Sequence, residues 1–212
     1  PRIELNLNLA SEFMLSFLNT LKLPKVSLVG NSLGGLIALL TTIKMPERVD
    51  RLILVDNAGF GQELSIFLRF GSVFPVGELA LVLRNRLTVR WFLSRLVYDS
   101  QKLPPQLINC VLRMFSLPQN PKVCLQVLRT GVNLRGLREE ICHSVAEGAS
   151  FLPHKTLFIW GADDRITPLN QAYLGQKLIK NSELQIFEKC GHLPMVEWPE
   201  KFNRSLLNFL KS

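Results

Sequence analysis

The stretch that most limits what this chain can become is Lys25 to Leu40, KVSLVGNSLGGLIALL. Val26, Leu28 and Val29 form an apolar run too short for a helix and rich in β-branched residues, held between Pro24 and Gly30. Gly30-Asn31-Ser32-Leu33-Gly34 then turns the chain, and Leu36 to Leu40 continues as a buried helix. Strand, turn and helix in so few residues demand a sharp bend. A non-glycine residue at its apex takes a strained backbone conformation, and small neighbours let the chain pass close on either side. The spacing is G-x-S-x-G, which lifts the serine hydroxyl above the sheet edge and aims first-turn N–H groups of the helix at the same spot. A phosphate-binding turn would need a Walker lysine or G-x-G-x-x-G spacing, and neither is present.

The flanking chain supplies a frame for that bend. Residues 1–8 read as loop, and apolar positions 10, 13, 14, 17, 18 and 21 predict a helix from Leu9 to Leu21, with Ser11 and Glu12 near its start. Leu52-Ile53-Leu54-Val55 is a second apolar strand ending at Asp56-Asn57-Ala58-Gly59. Two such strands joined by a helix make a βαβ unit, hence a parallel sheet covered on both faces. From Gly59 to Ser150 the strand signal disappears. Short helices are predicted over 78–87, 91–98, 106–115 and 121–130, separated by Gly, Pro and Asn. Phe60, Phe67, Phe70, Phe74, Trp91, Phe92 and Phe115 make this region apolar, with Arg69, Arg84, Arg86, Arg90 and Arg95 interleaved. Packing between helices accounts for the aromatics, and a lid over an apolar substrate is the functional alternative. Thr156 to Trp160 restores the strand signal, followed by a helix at 169–179, an alternating strand at 183–188 and a closing helix at 202–210. The division is therefore 1–58 first core segment, 59–150 helical lid, and 151–212 second core segment.

Composition narrows the class. Among 212 residues, 47% are hydrophobic and 20% charged, which excludes a disordered chain. The formal net charge of +8 is spread without a basic run, so it reads first as a solvated surface and second as attraction to an anionic membrane or acidic substrate. Nucleic-acid motifs are absent. Cys110, Cys124, Cys142 and Cys190 show neither C-x-x-C nor metal-ligand spacing. They read as reduced, mostly buried thiols of a cytoplasmic protein. No run of 18 uncharged apolar residues suggests a spanning helix.

The chemistry lies in what stands just beyond each strand: Ser32, Asp164 and His192. In open parallel sheets ligands gather at the carboxyl ends of strands, so these residues converge on one rim. A serine hydroxyl is a poor nucleophile until a base takes its proton. Histidine does so near neutral pH, and a carboxylate holds the imidazole in the right tautomer. The carboxylate is open between three positions: Asp164 first, Asp56 at the end of the second strand next, then Asp163. The Leu33 N–H, next after the nucleophile, is placed on the oxyanion, with Asn31 beside it on the substrate side. His143, in the lid, and His154, before a strand, read as structural.

Three blocks in this order resemble the α/β-hydrolase superfamily: Val29-Gly30-Asn31-Ser32-Leu33-Gly34-Gly35, Trp160 to Pro168, and Cys190-Gly191-His192 followed by Glu197-Trp198-Pro199-Glu200. The likeness is to its lid-bearing branch of esterases, lipases, haloperoxidase-like enzymes and meta-cleavage product hydrolases. Serine at the bend argues against the aspartate-nucleophile branches. The resemblance implies a mostly parallel sheet with helices on both faces and a helical lid before the acid-bearing strand. It implies a serine hydrolase that needs neither metal nor organic cofactor and acts on a small apolar carbonyl compound, first a carboxylic ester. The alternatives are C–C bond hydrolysis of a vinylogous diketone and non-catalytic binding of a small apolar ligand. Family members begin with further strands and a His-Gly turn that carries a second oxyanion donor, so the sequence reads as the C-terminal two-thirds or more of such an enzyme. Oligomeric state has no signature in it.

Overall fold

A computed structural model of the protein describes residues 6–212; residues 1–5 of the expected N-terminal loop lie outside it. Helix α1 spans Leu7–Thr20. It begins earlier than Ser11 and Glu12 suggested because Asn6 caps it, its Oδ1 accepting the Leu9 N–H at 2.9 Å. Ser11 is instead buried, its hydroxyl donating to the Leu7 carbonyl at 3.2 Å. Strand β1 (Val26–Asn31), helix α2 (Leu33–Lys44) and strand β2 (Val49–Val55) follow, with β1 and β2 parallel and Asn31 paired to Val55.

Between β2 and the next strand of the main sheet the chain makes a long excursion. It holds α3 (Ile66–Gly71), α4 (Val76–Val82), α5 (Arg86–Ser94), α6 (Pro105–Ser116), α7 (Asn120–Gly131), the strand pair β3 (Val132–Asn133) and β4 (Gly136–Leu137), and α8 (Glu139–Ala149). A single helix over 78–87 does not form. Asn85 ends that run by capping α5: its Oδ1 accepts the Leu87 and Thr88 N–H groups while the Thr88 hydroxyl accepts the Asn85 N–H. Likewise α5 stops at Ser94, short of the helix expected over 91–98, and Leu96–Asp99 is left free to meet other loops. Val89, Leu93, Val97, Leu103 and Ile108 form a small core of their own. The last helix packs differently: Val145 and Ala149 of α8 are fully buried in one cluster with Leu36 and Leu39 of α2. By packing, α8 thus sits with the sheet layers although it falls within 59–150.

The remaining elements are β5 (Lys155–Gly161), α9 (Asn170–Leu178), β6 (Ser182–Phe187), α10 (Pro194–Glu197) and α11 (Pro199–Lys211). The main sheet runs β1-β2-β5-β6, every neighbour parallel. Alternation along β2 and β5 sends Leu52, Leu54, Phe158 and Trp160 to one face, under α2, α8 and α9. Ile53, Val55, Leu157 and Ile159 go to the other, against Phe202 and Phe209 of α11. Both faces are thus buried, and all four carboxyl ends of the strands point toward the excursion's side of the sheet. The cysteines are free, but only Cys190 is buried. Cys110 on α6 and Cys124 on α7 are exposed, against the expectation of mostly buried thiols.

Candidate active site

Ser32 stands between β1 and α2 with φ +55° and ψ −122°, a left-handed conformation that costs a side-chain-bearing residue about 1–3 kcal/mol. Three backbone bonds hold it there. Its N–H donates to the Val55 carbonyl at 2.9 Å, and its carbonyl accepts the Leu36 and Ala58 N–H groups at 3.1 and 3.4 Å. The bend is possible only because two glycines have no side chain. A Cβ on Gly30 would lie 2.3 Å from the Gly34 oxygen, and one on Gly35 would lie 2.4 Å from the Asn57 Cβ. Gly34, the second glycine of the spacing, has open space where a Cβ would be. Leu33 opens α2, so no carbonyl within the helix can accept its N–H, which remains available to an oxyanion. The Ser32 hydroxyl makes no hydrogen bond among the described residues.

Asp164 and His192 are buried and meet directly, Nδ1 to Oδ2 at 2.7 Å. The turn after β5 prepares the carboxylate for this. Its Oδ1 accepts the Ile166 and Thr167 N–H groups at 2.7 and 3.3 Å. Its Oδ2 also lies 2.8 Å from the Thr167 hydroxyl. That hydroxyl is 2.9 Å from the Asp56 carbonyl as well; it has one proton, and the carboxylate is the stronger acceptor. Asp163 is only half-buried, its side chain makes no hydrogen bond, and its N–H donates to the Cys190 carbonyl at 2.9 Å. The structure thus pairs Asp164, and not Asp163, with the histidine.

The histidine loop is anchored on two sides. Asn31 Nδ2 donates to the carbonyls of Val55 and His192 at 3.2 and 3.1 Å, so the residue before Ser32 holds the His192 backbone. From the excursion between β2 and β5, the Leu96 carbonyl accepts the His192 N–H at 2.7 Å. Glu197 completes the joint: Oε1 accepts the Gly191 N–H at 2.6 Å, and Oε2 accepts the Tyr98 and Asp99 N–H groups at 2.8 and 3.2 Å. Gly191 has to be glycine, because a Cβ there would lie 2.7 Å from the Leu96 oxygen.

A strained serine before a helix, a buried Asp–His pair and a parallel sheet that brings both to one rim describe a hydrolase fold, and the family model described as alpha/beta hydrolase fold matches residues 7–199. The chain belongs to the α/β-hydrolase fold family. Among its relatives is the 2-hydroxy-6-oxononadienedioate/2-hydroxy-6-oxononatrienedioate hydrolase of Comamonas testosteroni, 29% identical over 201 residues. The match takes in 91% of this chain and 65% of that protein, so the chain spans about two-thirds of the relative's length. A solved meta-cleavage product hydrolase from Pseudomonas fluorescens IP01 superposes with a TM-score of 0.79 at 22% identity, over 99% of this chain and 73% of that one. A solved membrane phospholipase A superposes at 0.78 with 26% identity, over 99% of this chain and 64% of that one.

Two residues of this α/β-hydrolase site lie in the blocks that carry the resemblance but have no role assigned from sequence. Thr167 touches Asp164, His192 and the Asp56 backbone at once; its only mark is a position three residues after an aspartate, where side chains close turns. Glu197 looks like one more surface acid until the fold buries it. Asp56 is fully buried, and burial together with the nearby Asp164 carboxylate pushes its carboxyl well above the usual range. Burial likewise pushes the Cys190 thiol up, so it stays protonated. Asp56, Asp164 and His192 could serve as a donor set for a cation, their atoms lying within 4.8 Å of one another. The direct 2.7 Å contact between Asp164 and His192 is a hydrogen bond, however, and an ion would have to part it. A groove of about 690 Å³ between α4 and α7, lined by Leu81, Val82, Leu125, Arg84 and Lys122, touches none of these residues.

Proposed function

We propose that this α/β-hydrolase chain carries the nucleophile, base and acid of a serine hydrolase that cleaves a carbon–carbon bond beside the ketone of a conjugated diketone. The observation that carries the chemistry is the buried 2.7 Å contact of His192 Nδ1 with Asp164, on the rim where Ser32 emerges. With Nδ1–H held by the carboxylate, Nε2 is free to accept a proton. Ser32 Oγ attacks the carbonyl carbon as its proton passes to Nε2, and the oxyanion takes the Leu33 N–H. The tetrahedral intermediate then collapses. The C–C bond breaks, its electron pair enters the conjugated fragment, and the proton on Nε2 goes to that fragment. Water, deprotonated by His192, releases the acid from Ser32. Relatives named as hydrolases of 2-hydroxy-6-oxo dienoates support this substrate class.

A second reading is ester hydrolysis at a membrane surface. It is favoured by the likeness to a membrane phospholipase A and by the cap, where Phe74, Leu79, Val82, Leu83 and Leu87 are exposed beside Arg84, Arg86 and Arg90. Apolar side chains among arginines suit contact with anionic lipid. One comparison decides between the two: turnover of a conjugated ring-cleavage diketone acid against a p-nitrophenyl ester series from acetate to long acyl chains, with Ser32→Ala as control. The C–C reading expects diketone turnover at least about a hundredfold above any ester, abolished in Ser32→Ala. Ester turnover that rises with acyl length reverses the ranking. A folded protein inert to both is a binder, and the proposal fails.

A further inference from the structure

Asp56 is a buried acid that neither the hydrolytic steps nor the joint at Glu197 uses, and its surroundings are unusual. It directly follows β2 with φ +43°, a conformation that aspartate and asparagine tolerate better than most residues. Its N–H donates to the Ile159 carbonyl at 3.0 Å, and its own carbonyl lies 2.9 Å from the Thr167 hydroxyl. Backbone and side chain are thus both pinned: Oδ1 accepts the Gly161 N–H at 2.8 Å. That leaves Oδ2 buried and without a partner, although a polar atom so placed is normally hydrogen-bonded. Its carboxyl lies in the same buried cluster as Asp164 and the His192 ring.

We propose that Asp56 is a positioning residue of the hydrolytic site, a neutral carboxyl whose Oδ2–H donates to the Asp164 carboxylate and so fixes the acid that holds His192. The proton resolves the orphan oxygen and the charge problem together. Two carboxylates in one buried site cannot both stay ionised at little cost. The titratable groups that face Asp56 are Asp164 after β5, His192 and Cys190 after β6, and Glu197 of α10, and none of them is a lysine or arginine. A neutral Asp56 also leaves the imidazole opposite a single negative charge. Two would hold the imidazolium so firmly that it would return its proton poorly to the departing group. Burial and the Asp164 charge act on the Asp56 carboxyl in the same direction, toward the protonated form.

The inference rests on Asp164 and His192 being acid and base, so its test separates the two. The first arm needs no turnover: urea unfolding of the wild type and Asp56→Asn from pH 5 to 8. A carboxyl raised in the folded state contributes stability that is full below its unfolded value of about 4 and is lost as pH rises through the folded value. Asparagine does not titrate, so the unfolding constant of the wild type should climb relative to that of the variant by up to about tenfold per pH unit. A ratio flat across this range overturns the proposal. Should Asp56→Asn fail to fold, ¹³C NMR of the wild-type aspartate carboxyls answers instead. A protonated Asp56 resonance at pH 7 supports the proposal, and an ionised one refutes it. The second arm compares the rate of Ser32 labelling by a fluorophosphonate in Asp56→Asn and Asp56→Ala. An amide can still donate to Asp164, so the asparagine variant should label about tenfold faster than the alanine variant. Equal rates overturn a positioning role. Labelling absent even from the wild type faults the hydrolase reading, not the protonation of Asp56.

Discussion

Ser32, Asp164 and His192 stand out in the sequence because each type has a narrow chemical meaning and each follows an apolar strand, and the structure puts Asp164 and His192 in direct contact. Which carboxylate meets His192 was less legible, since Asp56, Asp163 and Asp164 all end or follow strands and only the turn geometry separates them. Asp164 receives two backbone N–H groups and a hydroxyl, whereas the side chain of Asp163 receives none. Asp164→Asn should therefore lower kcat by roughly 10⁴, the size seen when such an acid is lost from a serine triad, and Asp163→Asn should change it less than about threefold, as steady-state kinetics of both would show. The motif glycines part in the same way. With open space at Gly34, Gly34→Ala should hold stability within about 1 kcal/mol or raise it, because alanine favours helix. Gly35→Ala has to displace Asn57 and should cost more than about 3 kcal/mol in chemical denaturation.

At the scale of elements, the long apolar runs declared themselves and the short pieces did not. Strands β1, β2 and β5 are uniform enough to read directly. The break between α4 and α5 turned on one capping residue, Asn85, inside a stretch whose periodicity favours continuation. The strands β3 and β4, two residues each, are too short to show a period. Helix α8 was hidden in the texture of the cap, because burial of Val145 and Ala149 against α2 is a tertiary fact. The same holds for the joint between cap and histidine loop, which depends on Glu197 meeting backbone groups far away in sequence. Glu197→Ala would leave three backbone N–H groups without their acceptor, that of Gly191 buried and those of Tyr98 and Asp99 half-buried. We expect a loss of roughly 3 kcal/mol or more and faster amide hydrogen exchange at Tyr98, Asp99 and Gly191 than at β5. Unchanged exchange at those three amides would show that the joint is held by something else.

Taken as a molecule, the chain folds its chemistry onto the rim of a parallel sheet whose two faces are both buried. Between adjacent strands β2 and β5 it inserts the helical excursion, whose Leu96 carbonyl meets the His192 N–H and whose Tyr98 and Asp99 N–H groups meet Glu197. No helix among the described residues is long and apolar enough to cross a membrane. The central claim is that Ser32 is a nucleophile driven by His192. The measurement that tests it most directly is fluorophosphonate labelling of the wild type and His192→Gln, with the modified residue located by mass spectrometry and folding checked by circular dichroism. The account predicts a single adduct, on Ser32, formed at least about a thousandfold more slowly in the folded variant. Labelling of Ser32 at equal rates in both proteins, or a folded wild type that takes no label, would contradict it.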